Sequence, residues 1–146
     1  MTVKTLPILH RPMEPKDSSF IYSTWLKSYR QMPYAHNMSN DTFFYHHKQL
    51  IEKVLSKPNT TITMICESTD PDHLYGYSVV ESYGAAHIIH YVYMKHAYRK
   101  MGLTKDLLLT QIPLLGQKLT FVTHESRHHN IFKNKFNIEY NPYLIN

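Results

Sequence analysis

Residues 87–115 read HIIHYVYMKHAYRKMGLTKDLLLTQIPLL, and the fold turns on this stretch. Its opening, His87 to Met94, is apolar, β-branched and aromatic, the composition of a central strand buried on both faces. Its close carries Leu103, Leu107, Leu108, Ile112 and Leu115, spaced as one apolar face of a helix. Between them runs Lys95-His96-Ala97-Tyr98-Arg99-Lys100-Met101-Gly102, a basic turn with glycine at the helix start. A strand entering a helix through such a turn aims unpaired backbone N–H groups at whatever lies over the helix start. That is a place to bind phosphate.

Upstream, Leu74 to Tyr83 (LYGYSVVESY) reads as a strand joined to the central one through Tyr83-Gly84-Ala85. Thr60 to Glu67 (TTITMICE) alternates and is β-prone, with Ser68 to Asp72 a turn by composition. Short links make these three strands an antiparallel meander. Downstream, Pro113 and Gly116 end the helix, and Lys118 to His124 (KLTFVTH) is a further strand. A strand–helix–strand crossover makes 87–94 and 118–124 parallel. Ser126 starts a short helix with Ile131, Phe132 and Phe136, and residues 138–146 supply one or two short strands.

At the other end, residues 3–12 read as a first strand, with Pro7 marking an edge or a bulge. Asp17 offers an N-cap to a helix carrying Ile21, Tyr22, Trp25, Leu26 and Tyr29. Gln31 to Asn40 is a polar loop. Asp41 caps a second helix with Phe43, Phe44, His47, Leu50, Ile51, Val54 and Leu55 on one face, ended by Lys57-Pro58-Asn59. The expectation is one mixed α/β (α+β) domain over residues 1–146. Its central sheet is mostly antiparallel with one parallel pair, flanked by about four helices.

A chain of 146 residues is long enough for one domain with a real core. Hydrophobic residues at 42% and charged residues at 18% argue for a globular protein and against disorder. No apolar run approaches the ~20 residues that span a bilayer, so no membrane is expected. Met1 to Leu6 lacks the apolar core of a signal peptide, and the single cysteine, Cys66, excludes an internal disulfide. Both make a reducing cytoplasm the expected setting. The net charge of +5 favours an anionic partner: a phosphorylated cofactor, nucleic acid or an acidic protein surface. With 12 tyrosines and 11 histidines, no single His stands out by rarity.

Arg99-Lys100-Met101-Gly102-Leu103-Thr104 resembles the Gln/Arg-x-x-Gly-x-Gly/Ala signature of the GNAT N-acetyltransferases, which bind acetyl-coenzyme A. Thr104 replaces the last small residue of that signature. The order of elements along the rest of the chain is also similar to the GNAT order. The resemblance implies a GNAT-like fold in which the parallel strand pair splays apart around the pantetheine arm. It implies cofactor contacts from Val92, Tyr93 and Met94, from Arg99, Lys100, Met101, Gly102, Leu103, Thr104 and Lys105, and from Ser126. It also implies transfer of acetyl from acetyl-CoA to a primary amine on a small molecule or a protein, with Tyr29 and Tyr34 beside the acceptor.

Such a transfer needs a deprotonated nucleophile held against a thioester, and a base near neutral pKa helps. His90 is the base candidate, nine residues before Arg99, where some members of the family that the motif resembles carry a catalytic His. On a regular strand it would share a face with Ile88 and Val92. Glu81 and Glu67 are alternative bases, each with a solvated strand carboxylate as the plain reading. In the last helix the family pattern Asn-x-x-Ala-x-x-Phe-Tyr falls on Ser126, His129, Phe132 and Lys133, so the usual Tyr is absent and Tyr140 or Tyr143 is left as the acid. These departures keep a second class open: a catalytically weak or inactive GNAT-like protein that binds CoA or engages a macromolecule through its basic surface. His124, His128 and His129 cluster without a third ligand fixed by spacing, which favours surface histidines over a metal site. Lys95, Arg99, Lys100 and Lys105 form a basic patch, but a phosphate site looks the same, so nucleic acid is disfavoured. Monomer and homodimer stay equally open.

Overall fold

Strand β4, Ala86–Met94, lies inside a six-stranded sheet of a computed structural model that describes residues 6–112, 120–124 and 138–145. The sheet order is β1-β2-β3-β4-β5-β6, with β1 at Ile8–Pro12, β2 at Thr60–Glu67, β3 at Asp70–Tyr83, β5 at Thr120–Val122 and β6 at Ile138–Tyr140. Strands β1 to β4 are antiparallel, and turns at Ser68-Thr69 and Gly84-Ala85 link β2 to β3 and β3 to β4. Gly84 sits at φ +59, a conformation that favours glycine. The crossover makes β4 and β5 parallel, and β5 and β6 are parallel too.

Helices α1 (Ser18–Arg30) and α2 (Asn40–Leu55) cover one face of the sheet. Their Ile21, Trp25, Phe43, Ile51 and Val54 pack on Met64, Cys66, Tyr77, Val79 and Tyr91. Helix α3 (Leu103–Gln111) covers the other face, with Leu103 and Leu107 on Ile65, Tyr75 and Met94, and Leu108 on Val80, Ile89, Val92 and Val122. Successive strand residues feed opposite layers, which is why β3 and β4 are apolar nearly throughout. The mixed sheet between helices is the architecture that the residues implied.

Two caps differ from expectation. The Asp17 carboxylate does not cap α1: Arg11 holds both its oxygens at 2.7 and 2.9 Å, and it accepts from the Glu14 N–H at 2.8 Å in the capping box of the short turn Pro15–Asp17. It ties the start of α1 to β1 instead. For α2 the cap is Ser39, whose Oγ accepts from the Thr42 N–H at 3.2 Å, and Asp41 lies in the first turn. Strand β1 is an edge strand, as a proline-bearing strand must be. The predicted last helix from Ser126 lies outside the described residues, and three α-helices are seen among the described ones.

The irregularity that matters lies in β4. Tyr91 opposes Val79 and Ile89 opposes Val80, so His90 is one extra residue, a β-bulge. A bulge inverts the alternation. Ile89 C=O accepts from the Thr123 N–H at 3.3 Å on the β5 side, whereas the Lys95 N–H reaches Tyr75 C=O on β3 at 2.8 Å. By alternation from Lys95, the backbones of Tyr91 and Tyr93 face β3, and those of Val92 and Met94 face the other edge. Pairing with β5 stops at Ile89 and Val122. Among the described residues no further register pair joins the two strands.

Candidate functional site

The turn after β4 is shaped by two left-handed residues. Lys100 has φ 65, and Gly102, the N-cap of α3, has φ 78. A Cβ built at Gly102 would meet nothing within 4 Å, so the space over the turn is open and it is the conformation that favours glycine. The first in-helix bond at this end runs from the Asp106 N–H to Gly102 C=O at 3.1 Å. The N–H groups of Leu103, Thr104 and Lys105 precede it and have no acceptor among the described residues. Lys100 and Lys105 are exposed beside them. Three amides with no acceptor among the described residues, the positive end of a helix and two lysines form a cradle suited to a diphosphate.

Arg99 has a different task from Lys100. Its Nε donates to Met94 C=O at 2.8 Å, and its guanidinium lies 5.9 Å from the Tyr93 ring centroid. It therefore braces the end of β4 and occupies the Met94 carbonyl on the open edge. Val92 keeps its backbone on that edge, two residues before Met94 ends the strand. Met101 is exposed, and Leu103 is buried under the turn. Ser126, the remaining expected cofactor contact, lies outside the described residues.

The two leading base candidates meet. His90 is fully buried, and its Nε2 lies 2.8 Å from Glu81 Oε1 while its Nδ1 lies 2.8 Å from Thr123 Oγ1. Glu81 Oε1 also takes Lys57 Nζ at 3.2 Å. Glu81 is thus no solvated strand carboxylate. Because of the bulge, His90 shares the α1/α2 side with Glu81 and Tyr91, whereas Val92 packs towards α3, which corrects the regular-strand expectation. Burial opposes ionisation of Glu81, but the bonds from His90 and Lys57 prevail and hold its carboxyl below the usual range. Burial lowers the pKa of His90, and the Glu81 contact only partly offsets it. Glu67, the other candidate, pairs with His73 at 3.2 Å at the far end of the β2–β3 hairpin.

An aromatic and imidazole cluster lies under the α1–α2 connection. His124 is buried, shares a hydrogen bond with Ser28 Oγ at 3.0 Å, and sits 4.5 Å from the Tyr29 ring and 5.5 Å from that of Tyr91. His47 stacks on Phe43 at 4.2 Å and bonds Tyr34 Oη at 2.8 Å. Tyr29 and Tyr34 both lie against the His47 ring, at 5.1 and 5.7 Å, and Tyr140 on β6 lies within electrostatic reach of both. The surface reading of His124 is overturned by its burial, whereas His128 and His129 lie outside the described residues. Thr123, Lys57 and His47 escaped sequence reasoning as site residues. No local pattern marks them, since their partners are 24 to 33 residues distant for Lys57 and Thr123. Among the described residues no group of three His, Cys, Asp or Glu side chains could hold a metal ion.

No family model and no curated protein matches the sequence. Solved structures do match. A presumed acetyl transferase from Pyrococcus furiosus superposes with a TM-score of 0.68 at 14% identity, over 88% of this chain and 91% of its own. A presumed acetyltransferase from Bacillus subtilis, YycN, gives 0.64 at 14% identity, over 87% of each chain. The PaiA N-acetyltransferase from Thermoplasma acidophilum, in complex with coenzyme A, gives 0.50 at 16% identity, over 73% of this chain and 70% of its own. The chain spans 64% of the length of two GNAT-family acetyltransferases that it also matches.

Proposed function

Starting from the GNAT acetyltransferase fold, which this chain has, we propose that it is an N-acetyltransferase moving acetyl from acetyl-CoA to a primary amine. The observation that carries the proposal is the pairing of the Lys100–Lys105 cradle with a β4 edge opened by the His90 bulge. The amides of Leu103, Thr104 and Lys105 would take the diphosphate, with Lys100 and Lys105 adding charge. Val92 would offer its N–H and C=O to the pantetheine amides, and Arg99 would keep the strand end in place. Bound acetyl-CoA supplies a thioester carbonyl activated towards an amine. The chain would supply position and a carboxylate-backed imidazole behind Thr123. The acceptor would approach over Tyr29 and Tyr34. The expected setting remains a reducing cytoplasm, and the whole chain would act as one domain.

A second reading, a CoA-binding protein without turnover, is favoured by one observation: the His90 ring is fully buried with both nitrogens engaged. A thermal-shift titration with CoA and acetyl-CoA tests the shared premise. At ~100 times its dissociation constant the ligand should add about 2.7 kcal/mol of stability. No shift with either ligand removes the cofactor proposal. CoA release on adding primary amines supports the enzyme, and a shift without release supports the second reading. Gly102→Glu should abolish the shift, because it sets a negative charge and a strained residue at the cradle; an unchanged shift would place the phosphates elsewhere.

A further inference from the structure

The Glu81, His90 and Thr123 side chains form a line of hydrogen bonds, 2.8 Å at each link, that ends beside the point where β4–β5 pairing stops. Glu81 is held ionised by Lys57 at 3.2 Å, so its oxygen only accepts, and His90 Nε2 must carry the proton between them. Nδ1 then has a free lone pair, and the Thr123 hydroxyl donates to it. This is the logic of a hydroxyl, an imidazole and a carboxylate acting as a unit. Thr123 follows Val122, the last β5 residue paired with β4, and its N–H makes the last bond across the two strands. Thr123 is itself buried, at 5% exposure, but it lies beside the end of the β4–β5 pairing, whereas the His90 ring at 0% is reached only through its bonded partners.

We propose that Thr123 is the catalytic residue of the acyl transfer, relaying the proton of the attacking amine to His90, with Glu81 and Lys57 as positioning residues. The proposal rests on the acetyltransferase reading above. In the step, the amine nitrogen bonds to the acetyl carbon, and the carbon–sulfur bond breaks with its electron pair leaving on the CoA thiolate. The amine proton passes to Thr123 Oγ1 as the Thr123 proton passes to His90 Nδ1. Glu81 stabilises the imidazolium, and the proton later returns by the same path to the thiolate. His90 thus acts without touching substrate. This explains how a base can be useful at 0% exposure.

The test compares wild type with Thr123→Val, Thr123→Ser and Glu81→Gln. Thermal shift with CoA is followed alongside CoA release from acetyl-CoA, with spermidine, tyramine, a peptide with a free N-terminus and water as acceptors. The relay predicts that T123V keeps the CoA shift and KM for acetyl-CoA but loses about 100-fold or more in kcat. T123S, which keeps a hydroxyl, recovers most of it. E81Q loses rate and moves the acidic limb of the pH profile, because the groups facing His90 (Glu81, Lys57 and Thr123) set when it can accept. A T123V rate within threefold of wild type overturns the relay, as does CoA binding with no release to any acceptor. Absence of any CoA shift overturns the acetyltransferase reading instead. Nitrogen NMR of His90 in the wild-type protein provides a check that needs no variant: a proton on Nε2 is expected, and the opposite tautomer sinks the proposal.

Discussion

His124 shows what burial does to a single imidazole. Burial among Tyr29, Tyr91 and Ser28 pushes its pKa from 6.5 down to about 4, with the neighbouring His47 adding to the effect. Burial lowers His47 and His90 in the same direction. The unfolded chain therefore binds more protons than the folded one between pH 6.5 and pH 4. Stability is fully present above the unfolded value and falls as pH drops through that window. For His124 alone the loss is on the order of 3 kcal/mol by pH 4. Urea unfolding at stepped pH from 8 to 5 should show declining stability below neutrality, and His124→Gln should flatten the decline by about one proton. A wild-type profile level from pH 7 to pH 5 would contradict the assigned burial. From sequence, His124 looks like one of several surface histidines. Its closing partners Ser28 and Tyr29 lie nearly a hundred positions upstream, and no local pattern announces such a contact.

At the scale of elements, periodicity was readable because burial repeats along each of them. Two-sided apolar runs announced β3 and β4, and Leu103, Leu107 and Leu108 announced α3. The parity of β4 was not readable, since nothing in Ile89-His90-Tyr91 says which residue is extra. That one residue decides that His90 meets Glu81, both of which the sequence offered as bases, and it leaves Val92 on the open edge. Gly76 shows a second constraint between elements. It opposes Met94, and an added Cβ would lie 2.1 Å from Tyr93 C=O and 3.0 Å from Met94 Cα. Backbone is in the way, so β3 and β4 must separate to admit it. Gly76→Ala should cost about 1–3 kcal/mol, seen as a lower urea midpoint at unchanged slope. An unaltered midpoint would mean that the two strands are not so close.

Across the whole molecule, cohesion is uneven. Strands β2, β3 and β4 pair along most of their length and are covered on both faces, whereas β5 is held by three register pairs on each side. Its grip on β4 ends at the bulge, where the CoA arm is proposed to lie. A sheet pried apart at one point keeps a local opening there well below the cost of global unfolding. Amide exchange should therefore report two tiers, with Tyr77 and Tyr91 leaving only on global opening and Phe121 and Tyr140 leaving through a cheaper one. The Val92 N–H, aimed at the gap, should exchange faster than those of its neighbours Tyr91 and Tyr93. Added CoA should then slow Val92 and β5 selectively, because a pantetheine between the strands replaces the pairing that β5 lacks. If CoA stabilised the protein while Val92 exchanged as before, the arm would lie elsewhere. The bulge at His90 would then serve only to aim its ring at Glu81 and Thr123.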